Sequence, residues 1–306
     1  MTFVDGPVRV SVPATSANLG PGFDTLGLAL DLRDELEAEV LPEGLVVEVS
    51  GAGADGVPRD ERHLVVSSMR AAFDALGAQP PGLRLSCTNV VPHARGLGSS
   101  SAAIVGGLAL ARALVAGGTL LLDDQALFAL AADLEGHPDN VAPACFGGFT
   151  ISGRDEDGWY SVPGDVDPRV GAVVFVPPTG VRTAVARGLL PARVDHAAAA
   201  ANAGNTALLV RALGGRPDQL LRATRDHLHQ EFRRPAMPES LALIDRLRAD
   251  GVPALVSGAG PTVLAFTSAP DAGSAPDLHK VLAHCPPGWV RHHLAVDGAG
   301  VRVEAG

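Results

Sequence analysis

Lysine is almost absent from this sequence. Lys280 is its only lysine, although lysine and arginine together number 24, and 34 aspartate and glutamate residues give a formal net charge of −10. An acidic chain of this kind does not fit a protein that binds nucleic acid through its phosphates. Because no lysine lies in the N-terminal half, a Walker-type nucleotide site, which places a lysine beside the phosphates, is also excluded there.

Cysteine is scarce as well, and no segment has the features of a signal peptide or a membrane span. Cys87, Cys145 and Cys285 are odd in number and far apart in the chain. This pattern predicts a reduced, cytoplasmic setting without a zinc site. Residues 102–122 approach membrane length, but they contain Arg112 and several glycines, which indicates a buried helix. We therefore expect neither a membrane nor a nucleic acid as partner.

The composition predicts a folded chain of two domains. Of its 306 residues, 46% are hydrophobic and 19% charged, and domains average about 150 residues. The polar segment 153–168 is rich in proline, glycine and aspartate, and it predicts domains over residues 1–160 and 161–306. Beyond this segment the predicted order is β, α, β, β, α, β, which is the split-βαβ, ferredoxin-like arrangement.

The hydrophobic patterns also predict the individual elements. Alternating apolar residues predict strands, whereas apolar residues at helical spacing predict helices. A loop rich in glycine, proline and asparagine is expected over 13–24. Strands are predicted at 8–12, 26–40, 46–50, 83–87, 147–152, 159–162, 171–176, 253–257, 262–267 and 289–296, and helices at 63–77, 100–117, 123–135, 195–231, 239–250 and 271–284.

A loop rich in glycine and serine is the most informative segment. It reads Pro92-His-Ala-Arg-Gly-Leu-Gly-Ser-Ser-Ser-Ala102 and lies between a predicted strand and a predicted helix. The glycines let backbone amides approach an anion, the serines supply hydroxyl donors, and the helix N-terminus adds positive partial charge without a lysine. The pattern favours a polyphosphate site over a plain serine N-cap after a glycine turn.

Two other enzyme motifs use similar letters. In the nucleophile elbow of a hydrolase Ser100 would be the nucleophile, but that elbow needs a strand that runs directly into the serine. A dinucleotide-binding fingerprint needs a third glycine at the position of Ser101. Both patterns therefore fit less well than a phosphate loop.

Two further segments bring polar side chains together. Residues 13–24 contain Asn18 and Asp24 among glycines and prolines that exclude a regular helix. Glu135 and Asp139 flank the predicted end of a helix. A carboxylate together with a hydroxyl of the serine loop is the ligand set that a phosphate-bound Mg²⁺ takes from a protein. Taken alone, loop hydrogen bonding and helix capping explain these residues equally well.

Taken together, these segments resemble the signature of the GHMP small-molecule kinase superfamily, which is named for galactokinase, homoserine kinase, mevalonate kinase and phosphomevalonate kinase. Their order and spacing match over essentially the whole chain. The matching segments are PATSANLGPGFDTLG at 13–27, PHARGLGSSSAA at 92–103 and SGAGPT at 257–262.

Within the superfamily the resemblance is to the homoserine kinase family. Thr15 and Ser16 stand where other members carry a lysine in the first motif, in agreement with the single lysine of the chain. EGHPDNVAP at 135–143, TAVARGLLP at 183–191 and HQEFR at 229–233 are similar to the same family.

The resemblance implies an α+β fold of GHMP-kinase architecture, with an N-terminal ribosomal-S5-domain-2-like α/β domain and a C-terminal ferredoxin-like split βαβ domain. It also implies ATP-dependent phosphorylation of the side-chain hydroxyl of L-homoserine to O-phospho-L-homoserine, a step of threonine biosynthesis. ATP would be the co-substrate, Mg²⁺ the metal ion and L-homoserine the small-molecule partner. A homodimer is left open.

For the nucleotide, the resemblance implies contacts along the whole serine loop. Ser100 and Glu135 would hold Mg²⁺, and His63 would stand at the adenine. Relatives often have asparagine at the position of His63. The residues expected to bind ATP are Pro92, His93, Ala94, Arg95, Gly96, Leu97, Gly98, Ser99, Ser100, Ser101, Ala102 and His63.

For the amino-acid substrate, the resemblance implies a pocket with charges of both signs. Asp24 would take the ammonium, and Arg187 with Arg233 the carboxylate, although Arg234 directly follows Arg233 and is the alternative. The remaining residues of the pocket would be Asn18 and Asn140 at the reacting hydroxyl, Thr183 orienting the site, and His137 and Asp139 along its wall. The implied catalytic set is Asn18, Asn140, Thr183 and Arg187.

Phosphoryl transfer through a loose transition state depends mainly on positioning and electrostatics, so the expected mechanism needs no strong base. Three alternatives stay open at this point. They are another GHMP kinase acting on an isoprenoid precursor or a sugar, a serine hydrolase with Ser100 as nucleophile, and a nucleotide-binding protein without turnover.

Overall fold

The computed structural model describes residues 2–269 and 278–304. These residues form two β-sheets with helices packed around them. The strands are β1 (Val8–Ala17), β2 (Leu26–Leu41), β3 (Gly44–Gly51), β4 (Gly82–Asn89), β5 (Phe149–Asp155), β6 (Gly158–Gly164), β7 (Val170–Val176), β8 (Ala254–Val256), β9 (Val263–Ser268), β10 (Val290–Leu294) and β11 (Arg302–Glu304). The helices are α1 (Leu64–Leu76), α2 (Ser99–Leu114), α3 (Gly118–Leu121), α4 (Asp124–Glu135), α5 (Val141–Phe146), α6 (Thr183–Gly188), α7 (His196–Leu213), α8 (Leu220–Ala223), α9 (Pro238–Ala249) and α10 (Leu278–Ala283).

The first sheet has the order β11-β1-β2-β4-β3, and β5 and β6 extend it from β2. Its pairs are antiparallel, apart from the parallel pair of β3 and β4. Helices α1, α2 and α4 cover one face through a core in which Phe73, Leu108 and Phe128 are fully buried. Burial of a side chain of this size stabilises the fold by about 1.5–3 kcal/mol. This core holds α2 and α4, whose ends meet at the site described below.

The second sheet has the order β10-β7-β9-β8, with all neighbours antiparallel. In chain order these are its fourth, first, third and second strands, so the predicted split-βαβ arrangement is confirmed. The strand β7 is buried along its whole length, because both faces of this sheet are covered. Leu28 and Phe149 of the first sheet pack with Val174 and Phe266 of the second in one shared core.

Most predicted elements are present, but the predicted loop over 13–24 begins too early. Residues 14–17 pair with β2 across a register shift after Pro13, and Ala14 and Ala17 are buried. Their small and polar side chains lack the alternation that reveals a strand. Only residues 18–25 form the turn.

Two further predictions concern helices in the second half. The predicted helix over 195–231 is interrupted, because α7 ends at Gly214 and Gly215, and α8 and a 3₁₀ turn at Glu231–Ala236 follow. Of the helix predicted over 271–284, α10 is present, and residues 271–277 lie outside the described residues.

The segment that follows β10 returns to the first sheet, which no pattern in the sequence predicts. Three residues of β11 pair with β1, and Asp297 accepts hydrogen bonds from the Arg33 guanidinium and from two backbone amides. Strands up to Gly164 lie in the first sheet and β7 begins the second, while the boundary at 160 stays a prediction. In the described parts of the chain, no helix combines the length and apolar character that a membrane crossing requires.

Candidate active site

The serine loop enters α2 through a glycine. Strand β4 ends at Asn89, and Gly98, with a φ of 70°, precedes the first helical residue, Ser99. No side chain caps this helix start among the described residues, so the alternative of a serine N-cap is wrong. A Cβ on Gly98 would lie 1.9 Å from the Thr15 hydroxyl oxygen. The three serines occupy the first turn, where backbone N–H groups have no partner within the helix.

Glu135 points its carboxylate at this first turn. The Ser100 hydroxyl donates to Glu135 Oε1 at 2.5 Å, and the Ser101 hydroxyl donates to the same oxygen at 3.1 Å. Helix α4 ends at this glutamate because Gly136 follows in the left-handed conformation with a φ of 87°. The hydroxyl and carboxylate that the sequence predicts as a pair are therefore in contact.

This contact also decides against the hydrolase. The Ser100 hydroxyl donates to a carboxylate, whereas the nucleophile of most serine hydrolases donates to a histidine. Strand β4 ends well before Ser100, so the strand does not run into the serine as a nucleophile elbow requires. The interpretation of Ser100 as a nucleophile is wrong.

The donor set at Glu135 fits a magnesium ion that is bound through phosphate. Within the described residues no three histidine, cysteine, aspartate or glutamate side chains lie close enough together to hold a metal ion. One carboxylate and one hydroxyl are, however, what Mg²⁺ takes from a protein when phosphate oxygens and waters complete its octahedron.

A cavity of about 250 Å³ lies in front of the first turn of α2. It unites residues from six segments of the chain, and it includes most of the predicted substrate residues. Its lining consists of Asn18, Ala94, Gly96, Gly98, Ser99, Ser100, Glu135, His137, Asp139, Asn140, Thr183, Arg187, Arg233, Gly258 and Ala259. We call it the substrate cavity.

Asp24 lies beside this cavity and forms a two-armed ion pair with Arg187. The Arg187 guanidinium donates to both carboxylate oxygens of Asp24, at 2.6 and 2.9 Å. Asp24 has a φ of 53°, and its amide donates to Asn18 Oδ1, which holds it in this unusual conformation. Arg187 also lies over the ring of Phe23. Asp24, which is predicted to bind the ammonium of the substrate, and Arg187, which is predicted to bind its carboxylate, thus contact each other.

Arg233 and Arg234 have different surroundings. Arg233 is 1% exposed, lines the substrate cavity and donates through Nη1 to the Gly258 carbonyl, while its Nε has no partner among the described residues. Burial and the nearby Arg187 charge lower the pKa of Arg233 to about 10. Arg234 forms ion pairs with Glu231 and Asp245 outside the cavity. Of the two, Arg233 is the one that reaches the site.

His137 and Asp139 form a hydrogen-bonded pair on the wall of the cavity. His137 Nδ1 lies 2.8 Å from Asp139 Oδ1, and Asp139 is almost completely buried. Burial lowers the pKa of His137, but the hydrogen bond to Asp139 and the charges of Asp139 and Glu135 outweigh it, so the pKa is raised above its usual value. The imidazole is accordingly a stronger base than its burial alone would make it.

Asn18 is held by the SGAGPT loop. Its Nδ2 donates to the Gly258 carbonyl at 2.9 Å, and it has a φ of 64°. Ser257 donates its hydroxyl to the Gly96 carbonyl at 2.6 Å and lies 2.9 Å from the Ser16 hydroxyl. The loop therefore connects the first motif, the serine loop and the second sheet.

Asn140 Oδ1 accepts from the Thr15 hydroxyl at 2.9 Å, an interaction that the sequence did not indicate. Thr15 and Gly258 contribute through contacts between residues more than a hundred positions apart. Both residues lie in the motifs at 13–27 and 257–262, but no local pattern indicates these contacts.

A second cavity, of about 260 Å³, lies on the other side of the serine loop, and we call it the nucleotide cavity. Ser99 and Ser100 line both cavities. His63 lies here, buried, with Nδ1 unpartnered among the described residues, and His93 and Ala102 are beside it. Asp34, Arg62 and Asn89 also line this cavity, and the sequence did not single them out because they stand in ordinary strand and turn positions.

Not every side chain of the serine loop faces a cavity. Leu97 is completely buried in the shared core, and Ser101 is buried against Glu135. Arg95 lines neither cavity. Pro92, also outside both linings, starts the loop.

Known families and relatives match this chain along most of its length. The GHMP kinases N terminal domain matches residues 63–148, and the GHMP kinases C terminal domain matches residues 197–278. A homoserine kinase of Streptomyces avermitilis is 54% identical over 296 residues, which are 97% of this chain and 95% of the relative. This chain belongs to the homoserine kinase family of GHMP kinases. A homoserine kinase of Cutibacterium acnes, 48% identical over 97% of this chain and 99% of its own, agrees.

Solved structures give the same fold. The homoserine kinase of Cytophaga hutchinsonii superimposes with a TM-score of 0.83 at 27% identity, over 99% of both chains. The mevalonate kinase of L. major in complex with R-mevalonate reaches a TM-score of 0.69 at 16% identity, over 97% of both chains, and shows the fold alone. The predicted fold class and family are confirmed. As a member of this kinase family the chain is a phosphotransferase with ATP as co-substrate and a hydroxyl group as acceptor. The cytoplasmic setting stays a prediction, and the homodimer stays open.

Proposed function

We propose that the substrate cavity binds L-homoserine and that the site transfers the terminal phosphoryl group of ATP to its side-chain hydroxyl, which gives O-phospho-L-homoserine for threonine biosynthesis. The observation that carries this proposal is the convergence of Asp24, Arg187 and Arg233 beside the phosphate loop. The 54% identity to a homoserine kinase supports it.

The charges around the cavity suit a zwitterion. In the described structure the carboxylate of Asp24 and the guanidinium of Arg187 form an ion pair with each other. A bound amino acid offers an ammonium to Asp24 and a carboxylate to Arg187 and Arg233, so both charged groups keep a charge-assisted partner when the substrate enters. A sugar or a hydroxy acid offers at most one of these partners. This is the reason for preferring an amino-acid alcohol.

The phosphate groups would lie against the first turn of α2. Its free N–H groups and the helix dipole favour negative charge, and the glycines at 96 and 98 leave the backbone open to it. Ser100 and Glu135 would hold Mg²⁺, which when bound neutralises charge that develops on the transferred phosphoryl group. Asn18 and Asn140 border the cavity in which the acceptor hydroxyl must lie.

No side chain is assigned the proton of that hydroxyl. Asp24 is occupied by a guanidinium, and the raised pKa of His137 favours its protonated form, which has no lone pair with which to accept a proton. The loose transition state of phosphoryl transfer makes a late proton transfer to phosphate oxygens or water sufficient.

The test is release of ADP by the purified chain with L-homoserine, with aminopropanol, which lacks the carboxylate, and with hydroxybutyrate, which lacks the ammonium. We expect kcat/KM to fall by about tenfold to a hundredfold for each analogue, because each loses one charge-assisted pair. Galactose and mevalonate serve as controls. Turnover of either control in preference to L-homoserine would assign the site to another GHMP kinase activity, and ATP binding without turnover would make the chain a nucleotide-binding protein.

The magnesium assignment predicts a large effect at Glu135. Glu135→Gln removes the charge while keeping the shape of the side chain, and kcat should fall by about a hundredfold or more. Glu48→Gln, on the exposed surface of β3, is the matched control. Near-normal turnover of Glu135→Gln at saturating magnesium would refute the assignment.

A further inference from the structure

Arg95 carries the only formal charge in the loop 92–102, yet its side chain turns away from both cavities. Its guanidinium donates to three backbone carbonyls: Nη1 to His93 at 2.9 Å, Nε to Pro177 at 3.0 Å and Nη2 to Pro178 at 2.5 Å. Only arginine offers several donors in one rigid plane, which these carbonyls require. The charge thus joins two segments of the chain and does not line either cavity.

Backbone contacts next to Arg95 connect the same two segments. The amide of Val181 donates to the Ala94 carbonyl at 3.3 Å. At Gly180, an added Cβ would lie 2.3 Å from Arg95 Nη1 and 2.7 Å from the Ala94 carbonyl oxygen. Residues 177–181 therefore lie directly against the serine loop, and the closeness depends on glycine at 180.

The contacts between Arg95 and residues 177–181 connect the serine loop with α6. Residues 177–181 lead from the end of β7 to α6, and α6 carries Thr183 and Arg187 to the substrate cavity. Gly96 and Gly98 of the serine loop line the same cavity. The contacts of Arg95 with residues 177–181 therefore set the distance between the serine loop and α6.

We infer that Arg95 is a positioning residue that links the serine loop to α6. A nucleotide bound to the serine loop thereby orders α6, the helix that receives the amino-acid substrate. The substrate part of this inference rests on the proposed function; the part that concerns nucleotide and α6 does not. In energetic terms the two binding events are coupled, and removal of the link reduces the coupling.

The first experiment measures amide hydrogen exchange in the full chain with and without a non-hydrolysable ATP analogue and magnesium. In the wild type we expect the analogue to slow exchange both in the loop with the start of α2 and in residues 177–188. In Arg95→Ala we expect the first effect to persist and the second to disappear. Equal protection of 177–188 in both proteins, or no protection there in the wild type, would overturn the inference.

Two variants serve as references. Arg248→Ala removes a guanidinium that also donates to backbone carbonyls, those of Leu221 and Ala254, but within the second domain and away from both cavities. It should exchange like the wild type in 177–188. Arg95→Lys keeps the charge with a single donor nitrogen and should restore part of the protection. Arg95→Lys could match Arg95→Ala in stability and in exchange while Arg248→Ala loses the same protection of 177–188. In that case the loss reflects general destabilisation of the fold, and the inference is overturned.

The second experiment separates positioning from direct phosphate binding. With Arg95→Ala we expect the KM for L-homoserine at saturating ATP to rise about tenfold, as for the loss of hydrogen bonds from a charged donor. Because coupling is reciprocal, the KM for ATP at saturating L-homoserine should rise by a similar factor, whereas the Kd of ATP measured without L-homoserine should stay near the wild-type value. A rise confined to the KM for ATP would place the guanidinium on the phosphates and overturn the inference. If the wild type does not phosphorylate L-homoserine, the proposed function fails, while the exchange experiment still decides the role of Arg95.

Discussion

Adjacent residues in this site differ in role because the local backbone turns one inward and the other outward. Arg233 and Arg234 stand side by side in a 3₁₀ turn, and only Arg233 is buried beside Gly258. A single sequence cannot distinguish them, because the choice depends on how this turn packs on the SGAGPT loop.

This pair allows a matched experiment. Arg233→Ala should raise the KM for L-homoserine by about tenfold to a hundredfold, because one charge-assisted partner of the carboxylate is lost. Arg234→Ala, which removes an exposed ion pair, should leave KM near the wild-type value. Steady-state kinetics at saturating ATP measure both. An equal effect of the two variants would place the carboxylate elsewhere.

His137 predicts a dependence of stability on pH. Its pKa is raised in the folded protein, so the folded state favours the charged imidazole. The stabilisation is complete below the ordinary pKa of about 6.5 and is lost as the pH rises through the raised pKa. The free energy of unfolding of His137→Gln should therefore lie below that of the wild type in mild acid and approach it in mild base.

Urea denaturation at several pH values between these limits measures this difference. His196→Gln, at the exposed start of α7, is the control. A gap between wild type and His137→Gln that widens with rising pH would contradict the prediction.

At the level of elements, the start of α2 shows how a glycine positions a helix. Gly98 lets the chain turn into the helix in the left-handed conformation and leaves room for Thr15, which holds Asn140. The first turn of α2 thereby faces both cavities without a side chain on the capping residue.

Gly98→Ala should weaken ATP binding by about tenfold or more and destabilise the fold by about 1–3 kcal/mol, because the new methyl group meets Thr15 and the backbone is strained. Gly77→Ala, at the end of α1, has a similar φ of 66° and nothing within 4 Å of an added Cβ. It should show the strain alone, with unchanged ATP affinity. Nucleotide titration and thermal unfolding of both variants make the comparison, and equal affinities would contradict it.

The elements with strong periodicity could be predicted from the sequence, and those defined by distant partners could not. Helices α1, α2 and α4 follow from their apolar spacing and from the glycines that end α1 and α4. The end of β1 and all of β11 lack a pattern of their own, because they are strands only through pairing with distant residues.

The site divides in the same way. Motifs placed the serine loop, Glu135 and the residues of the substrate cavity in one pocket. The roles of Thr15, Gly258 and the Arg95 side chain depend on contacts across the fold, and the nucleotide cavity depends on how α1 and the loop before it approach β2. Such contacts leave no local signal.

At the level of the molecule, the two sheets share a core and are also joined by the chain segment around Asp297. The Asp297 carboxylate is completely buried and pairs with Arg33, which is 12% exposed. Removal of one partner leaves a buried charge unpaired, which is far more costly than the loss of a surface pair.

Asp297→Ala should therefore lower the free energy of unfolding by about 3–5 kcal/mol. Glu37→Ala, which removes an exposed ion pair with Arg9 on the same sheet, should change it little. Urea denaturation measures both, and a cost at Asp297 as small as that at Glu37 would show that this segment does not hold the sheets together.

The pairing of β11 with β1 also affects the order in which the sheets are completed during translation. Strand β1 is made among the first residues and its neighbour β11 among the last of those described. Until then one edge of β1 stays unpaired, and such an edge readily accepts a strand from another chain. The nascent protein therefore has to complete its second sheet while its first still has an open edge, and slow translation of the second half should increase aggregation.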